Sequence, residues 1–553
     1  MKDKNVYLTP VNDKYAILTV RKDFKGNTET LSYIRNFQLD SKENLIPPII
    51  YVKTPQFYTL QELSPIDASG VEFVQHKDSL DLKGKGTLVG IIDTGIDYLN
   101  EEFSDYNGKT RITTIWDQTI NSNDTNINRE VPYGSIFNRN EIDHAIEINK
   151  SGGDAYSIVP SKDEIGHGTN MAGIIGAIGK NPELKGVAPE CEFAVVKLNE
   201  DARFKLDYGI KVPIYNITSI FMAIEYLLQY SIDNNKPIVI FLPLGTSSGN
   251  HKGDGILQQY IESVVGHRGV VVVSGAGNEG AEQGHTAGTI SNLGGIDTFD
   301  IDVGEEQKFI TLEVWIDRPD IMSIEIISPS GENTGIVPLI INSKEEYTFI
   351  FEKTKIVVNY FIPEQISGDE LILVYFFTLR PGRWKIRLTS NKYNKGLYNA
   401  WIPQKGITVG DTKLIPYDPC GTLTIPGDSS DVITAASYNQ NNNNIVDYSG
   451  VSLRNISLTQ IDVAAGGEKM KTISPNNKVS VISGTSVSAA VLAGVSTLVL
   501  EWGIVNGYNP YMFSETLRSY LIRGTVKREG DIYPNPEWGF GILNVFGIFE
   551  NIR

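Results

Sequence analysis

From Gly86 to Val273 short apolar runs alternate with stretches of helical periodicity, and that alternation restricts the fold more than any other feature of the chain. Gly86–Ile92, Phe193–Leu198, Ile238–Leu242 and Val270–Val273 read as strands that are apolar along their whole length, which requires cover on both faces of a sheet. Gly168–Gly179 and Thr218–Tyr230 read as covering helices. Strand, helix and strand in succession make parallel crossover units. The spacing therefore predicts an α/β domain: a parallel sheet with helices on both faces.

The texture changes near Gly295. Up to about Gln404 the chain carries β-branched and aromatic runs, among them Phe309–Ile316, Ile321–Ile327, Leu371–Leu379 and Arg383–Leu388, divided by Pro-Ser-Gly and Arg-Pro-Gly turns. Helical periodicity is almost lost there, which predicts an inserted antiparallel β-sandwich or jelly roll. After Gly421 the α/β texture returns, with a helix over Val487–Trp502 and a closing segment Pro536–Asn544. At the other end, Lys14–Arg21 and Pro48–Lys53 read as strands and Thr28–Phe37 as a helix, a small α+β segment. A chain of 553 residues exceeds what one compact core supports. The expected division is 1–61, then 62–294 and 421–553 as the two parts of one α/β domain, with 295–420 inserted between them.

Composition narrows the function classes. A formal charge of −17, from 49 basic and 66 acidic residues, opposes nucleic acid or an anionic membrane as main partner, since both are held by Lys/Arg-rich surfaces. The first residues, Met1 to Tyr7, are charged and lead into no apolar run of signal-peptide length, so synthesis in the cytoplasm is expected. No uninterrupted apolar stretch approaches the roughly 20 residues of a membrane span. Cys191 and Cys420 are far apart and in no metal-ligand spacing, which reads as two reduced, buried thiols. No metal or cofactor is expected.

Four motifs carry chemistry. In Ile91-Ile92-Asp93-Thr94-Gly95-Ile96-Asp97 an apolar strand ends on a carboxylate, and the carboxyl ends of strands face the ligand crevice of an open α/β sheet; alternatively Asp93 only caps a turn. In Gly166-His167-Gly168-Thr169 one of only six histidines stands at a helix start between glycines that permit close backbone approach, although a lone histidine is often structural. In Ser483-Gly484-Thr485-Ser486-Val487 a serine opens an apolar helix, as a nucleophile or as an ordinary N-cap. In Ser274-Gly275-Ala276-Gly277-Asn278-Glu279-Gly280, Asn278 either accepts a left-handed turn or turns its amide toward the same crevice. Nucleophilic catalysis by serine needs a base, a group that orients the base, and oxyanion donors. Ser486, His167, Asp93 and Asn278 supply one candidate for each.

In the order Asp, His, Asn, Ser these motifs resemble the subtilase family of serine endopeptidases, over roughly residues 62–294 and 421–549. The resemblance implies a subtilisin-like parallel sheet, a triad of Asp93, His167 and Ser486, and an oxyanion hole with Asn278. It implies substrate pairing along Leu244-Gly245 and an N-terminal prodomain over 1–61. Spacing from Asp93 then places self-cleavage close to Leu60 and Gln61, with the chain's own N-terminal segment as a bound partner. Tyr58 to Pro65, Asp97 to Phe103, Ile115-Trp116-Asp117-Gln118 and the β-insert are similar, more narrowly, to the Csp germination proteases of clostridial spores. That likeness implies a spore-packaged enzyme whose protein substrate is the zymogen of a cortex-lytic hydrolase. The alternative it carries is a pseudoprotease that senses a germinant, which retention of all three triad residues disfavours. Ala490 and Val491 stand where many subtilases have Pro and His, Pro243 where the family usually has Ser. Glu102 falls near a family calcium carboxylate, but Lys180-Asn181-Pro182-Glu183 lacks the usual Asn-rich ligands.

Overall fold

In a computed structural model of the chain, strands are assigned over 6–10, 15–21, 28–35 and 57–60, and residues 66–75, 80–120, 131–340, 344–454 and 460–550 are described in full. The expected strand Pro48–Lys53 lies outside these residues.

The apolar runs form the middle of a nine-stranded sheet. Its order runs Asn444–Ile445, Ile433–Asn439, Val270–Gly275, Ile238–Phe241, Leu88–Asp93, Glu192–Lys197, Ile112–Asp117 and Ser135–Asn138, and Val463–Gly466 pairs with Ile433–Asn439 beside this path. The interior pairs are parallel. Only Asn444–Ile445 and Ser135–Asn138 run antiparallel, each on one neighbour. Side chains alternate between two cores, as the strand period of two demands. Val89, Ile91, Val239 and Val271 meet the helices His167–Gly176 and Thr485–Leu500 on one face. Leu88, Ile92, Ile238 and Val270 meet Ile217–Asp233 and Ile256–Val265 on the other. Every residue of Thr485–Leu500 is buried. With its continuation to Val505 this helix is long and apolar enough to cross a bilayer, but 94% of its most apolar stretch is buried inside the protein.

Residues 285–415 build two antiparallel sheets with one core between them, containing Leu312, Val314 and Val374 from one sheet and Phe299, Ile324 and Ile386 from the other. The strand His285–Thr289, N-terminal to the expected boundary at 295, already pairs with Leu397–Trp401 of this unit. The unit is tied to the α/β domain by polar and aromatic contacts together. Glu313 accepts from the Gly249 N–H at 2.9 Å, and Lys252 Nζ lies 2.7 Å from Asp317 and 2.5 Å from Asp369. His251 stacks on Trp401 of the unit, with centroids 4.3 Å apart.

One expectation is corrected. Residues 28–37 were predicted helical, but Thr28–Arg35 is a strand antiparallel to Tyr15–Arg21, which in turn pairs with Val6–Pro10. Two threonines, a tyrosine and an isoleucine within eight residues favour the extended form, and pairing to a neighbouring strand overrides weak helical periodicity. Both cysteines are free, with Cys191 buried and its thiol pushed up to about 12 by desolvation.

Glu102 is buried and holds backbone. Its carboxylate accepts from the N–H groups of Gly179, Lys180 and Asn181 at 2.8, 3.1 and 2.8 Å, pinning the loop behind the histidine helix. Glu102→Ala leaves these donors short of partners. It is expected to cost about 3 kcal/mol, read as a lower urea midpoint with an unchanged slope.

Candidate active site

Asp93 is the last residue of the strand Leu88–Asp93 and is fully buried. His167 opens its helix after Gly166, whose φ of 92° is a left-handed conformation suited to glycine. The two side chains meet: His167 Nδ1 lies 2.9 Å from Asp93 Oδ1 and 2.8 Å from Oδ2. A carboxylate so placed fixes the ring and favours the tautomer with its proton on Nδ1, leaving Nε2 as the basic nitrogen. Gly168 makes the approach possible. A Cβ there would stand 2.1 Å from the carbonyl oxygen of Gly95 and 3.2 Å from Asp93 Cβ.

The histidine turn is held by a residue that sequence reasoning missed. Buried Asp163 accepts from the Thr94 hydroxyl at 2.8 Å, the Gly166 N–H at 2.7 Å, and the N–H and hydroxyl of Thr169 at 2.8 and 2.7 Å. Thr94 Oγ1 in turn accepts from the Gly168 N–H at 3.0 Å. One carboxylate thus locks the aspartate-bearing strand end to the histidine-bearing helix start. In sequence it is one acid of a Lys-Asp-Glu run, and nothing local distinguishes it from solvated neighbours. Asp163→Ala is expected to cost about 3 kcal/mol through unpaired donors. It should also lower any His167-dependent rate by about 10²-fold through misplacement of the ring, seen as a fall in kcat/KM.

Ser486 lies in the first turn of Thr485–Leu500, behind Gly484 with φ 139°. Its hydroxyl is buried and, among the described residues, makes no hydrogen bond. The helices that carry His167 and Ser486 pack on each other. The serine therefore offers an oxygen that is not committed to capping. Asn278, beyond the strand Val270–Gly275, uses Oδ1 to accept from the Thr485 N–H at 3.0 Å and the Thr485 hydroxyl at 3.1 Å. The backbone donor fixes the orientation of the amide, so its NH₂ is the end left for a ligand. Thr485 Oγ1 also accepts from the Gly277 N–H at 3.2 Å, which ties the asparagine loop to the serine turn. Next to Asn278, Glu279 is pushed up to about 7 by desolvation, against the pull of the Lys405 N–H on its carboxylate.

Leu244–Gly245 forms a short antiparallel sheet with Phe57–Leu60 and Tyr215–Asn216. Leu60 stands opposite Leu244 and Thr59 opposite Gly245, while Phe57 and Tyr58 face Asn216 and Tyr215. A strand of the chain's own N-terminal segment therefore fills the gap between two edge strands and ends at Leu60. Gln61 lies outside the described residues.

The family model described as "Subtilase family" matches residues 84–300 and 419–541. A solved structure titled "Structure of the Clostridium Perfringens CspB protease" superposes with a TM-score of 0.77 at 30% identity, covering 88% of this chain and 98% of that one. A PII-type proteinase of Lacticaseibacillus paracasei is 24% identical over 297 residues, 52% of this chain. The match spans only 14% of that proteinase's length. Subtilisin BL of Lederbergia lenta is 34% identical over 140 residues, 24% of this chain and 44% of the subtilisin.

Proposed function

We propose, from the premise that this chain belongs to the subtilase family, that it is a serine endopeptidase acting through Ser486, His167 and Asp93. The single observation that carries this reading is the Asp93–His167 pair, closed by both carboxylate oxygens at 2.8–2.9 Å. His167 Nε2 takes the proton as Ser486 Oγ attacks the substrate carbonyl. The Asn278 amide and the Ser486 N–H receive the oxyanion, and the imidazolium then protonates the leaving amine. Asp93 holds the ring and stabilises its charge without itself becoming protonated. Pairing along Leu244-Gly245 presents the substrate backbone, as Phe57–Leu60 does now. That pairing supports residues 1–61 as a prodomain and self-cleavage next to Leu60 and Gln61.

The finer reading follows the likeness to a clostridial spore protease: limited proteolysis of a cortex-lytic hydrolase zymogen during germination, by an enzyme packaged in the spore. Residues 295–420 would then form an inserted unit of jelly-roll type in the protease. Fluorophosphonate labelling tests the chemistry, because it requires an activated hydroxyl. Wild-type protein is expected to label on Ser486, and to convert a candidate zymogen that Ser486→Ala leaves intact. A folded chain that never labels would instead support the regulatory, germinant-sensing pseudoprotease.

A further inference from the structure

Just beyond Gly245 the substrate-pairing strand meets the inserted β-unit. Gln404, 2% exposed, donates from Nε2 to the Gly245 carbonyl at 3.2 Å and accepts from the Ser247 N–H at 3.3 Å. The inserted unit thus fixes the end of this strand with a buried amide. Between the two lies a recess of about 40 Å³, walled by Thr246 and Ser248 on one side and by Phe309, Leu373 and Tyr375 on the other. Leu373 and Tyr375 also line a groove of about 380 Å³ that runs over the same sheet face past Val357 and Phe377. The Tyr375 and Phe377 rings stack at 6.1 Å, and Phe309 packs 5.4 Å from Phe377. At the far end Lys344 and Lys355 both reach Glu346, so the apolar stretch closes on a polar rim.

The register says what would reach this surface. Pairing is seen at Leu244 and Gly245; one further step would put Thr246 opposite position 58, and beyond it Gln404 takes the Ser247 N–H. A peptide lying along Leu244-Gly245 is therefore led, by its residues upstream of the scissile bond, to the recess and the groove. We infer that the sheet face of the inserted unit, centred on Tyr375, is an extension of the substrate cleft that binds large apolar or aromatic side chains upstream of the bond cleaved. The inference rests on the protease reading above. It gives the inserted unit a part in substrate choice, because an aromatic floor beside an extended backbone rewards apolar side chains and only weakly discriminates among them.

The test uses full-length protein and two peptides from the chain's own sequence, one spanning residues 59–64 and one spanning 53–64, the longer carrying Phe57 and Tyr58. The longer peptide is expected to have about tenfold higher kcat/KM, and to lose that gain when Phe57 and Tyr58 are replaced by serine. Tyr375→Ala should remove the gain while leaving the shorter peptide unchanged, and Tyr375→Phe should keep it. Equal cleavage of both peptides by wild type, or an equal fall for both in Tyr375→Ala, would overturn the inference. If neither peptide is cleaved, the protease reading fails by itself. In full-length Ser486→Ala protein the chain's own strand Phe57–Leu60 stays on Leu244–Gly245, and its hydrogen exchange still reads the groove: faster exchange in Tyr375→Ala than in Tyr375→Phe supports the inference, equal exchange refutes it. Binding of chito-oligosaccharide that Tyr375→Ala abolishes, with peptide binding untouched, would make the face a glycan site and also refute it.

Discussion

Ser486→Ala is expected to lower kcat by about 10⁶-fold and to leave the chain at full length, a magnitude taken from subtilisin, where it was measured. The residue is buried at 0% exposure, so loss of one oxygen from a site without a hydrogen bond leaves no partner stranded. Stability should therefore stay within about 0.5 kcal/mol of wild type. The combination is diagnostic. Peptide hydrolysis and intact mass report the loss of chemistry and of self-cleavage, and a thermal melt reports the intact fold. Residual hydrolysis close to the wild-type rate would show that Ser486 is not the nucleophile.

Asp93→Asn is the second change with a large consequence, about 10⁴-fold in kcat near neutral pH. The substitution keeps shape and removes charge. An amide NH₂ turned toward His167 favours the tautomer with its proton on Nε2, the nitrogen that has to accept the serine proton. The Thr94 N–H, 2.6 Å from Asp93 Oδ1, still finds an acceptor if the amide oxygen faces it, and that directs the NH₂ toward the ring. Fluorophosphonate labelling rates for wild type and Asp93→Asn measure the effect without a substrate. Equal rates would separate Asp93 from activation of the serine.

Much of this site was legible before any coordinates. Asp93 ends an apolar strand, His167 sits between glycines at a helix start, and Ser486 lies at the start of a long apolar helix; each position follows from local patterning. Their order along the chain carried the family. Asp163 was not legible, because its importance comes from donors on Thr94, Gly166 and Thr169, and only folding gathers these around one carboxylate. The use of Glu102 to hold backbone N–H groups was hidden for the same reason. Thr28–Arg35 was misread as helix because a short amphipathic stretch fits either period, and its partner strand decides between them.

The chain's sequence alone determined the parallel sheet, the inserted β-rich segment and the identity of the candidate triad, since burial periodicity and local motifs are properties of neighbouring residues. Tertiary structure alone decided how the inserted unit meets the cleft. Gln404 lies 159 positions from Gly245 and still holds its carbonyl, and Tyr375 reaches a recess shared with Thr246. Contacts at such separations depend on how sheets stack and where crossovers return, and no local pattern records that.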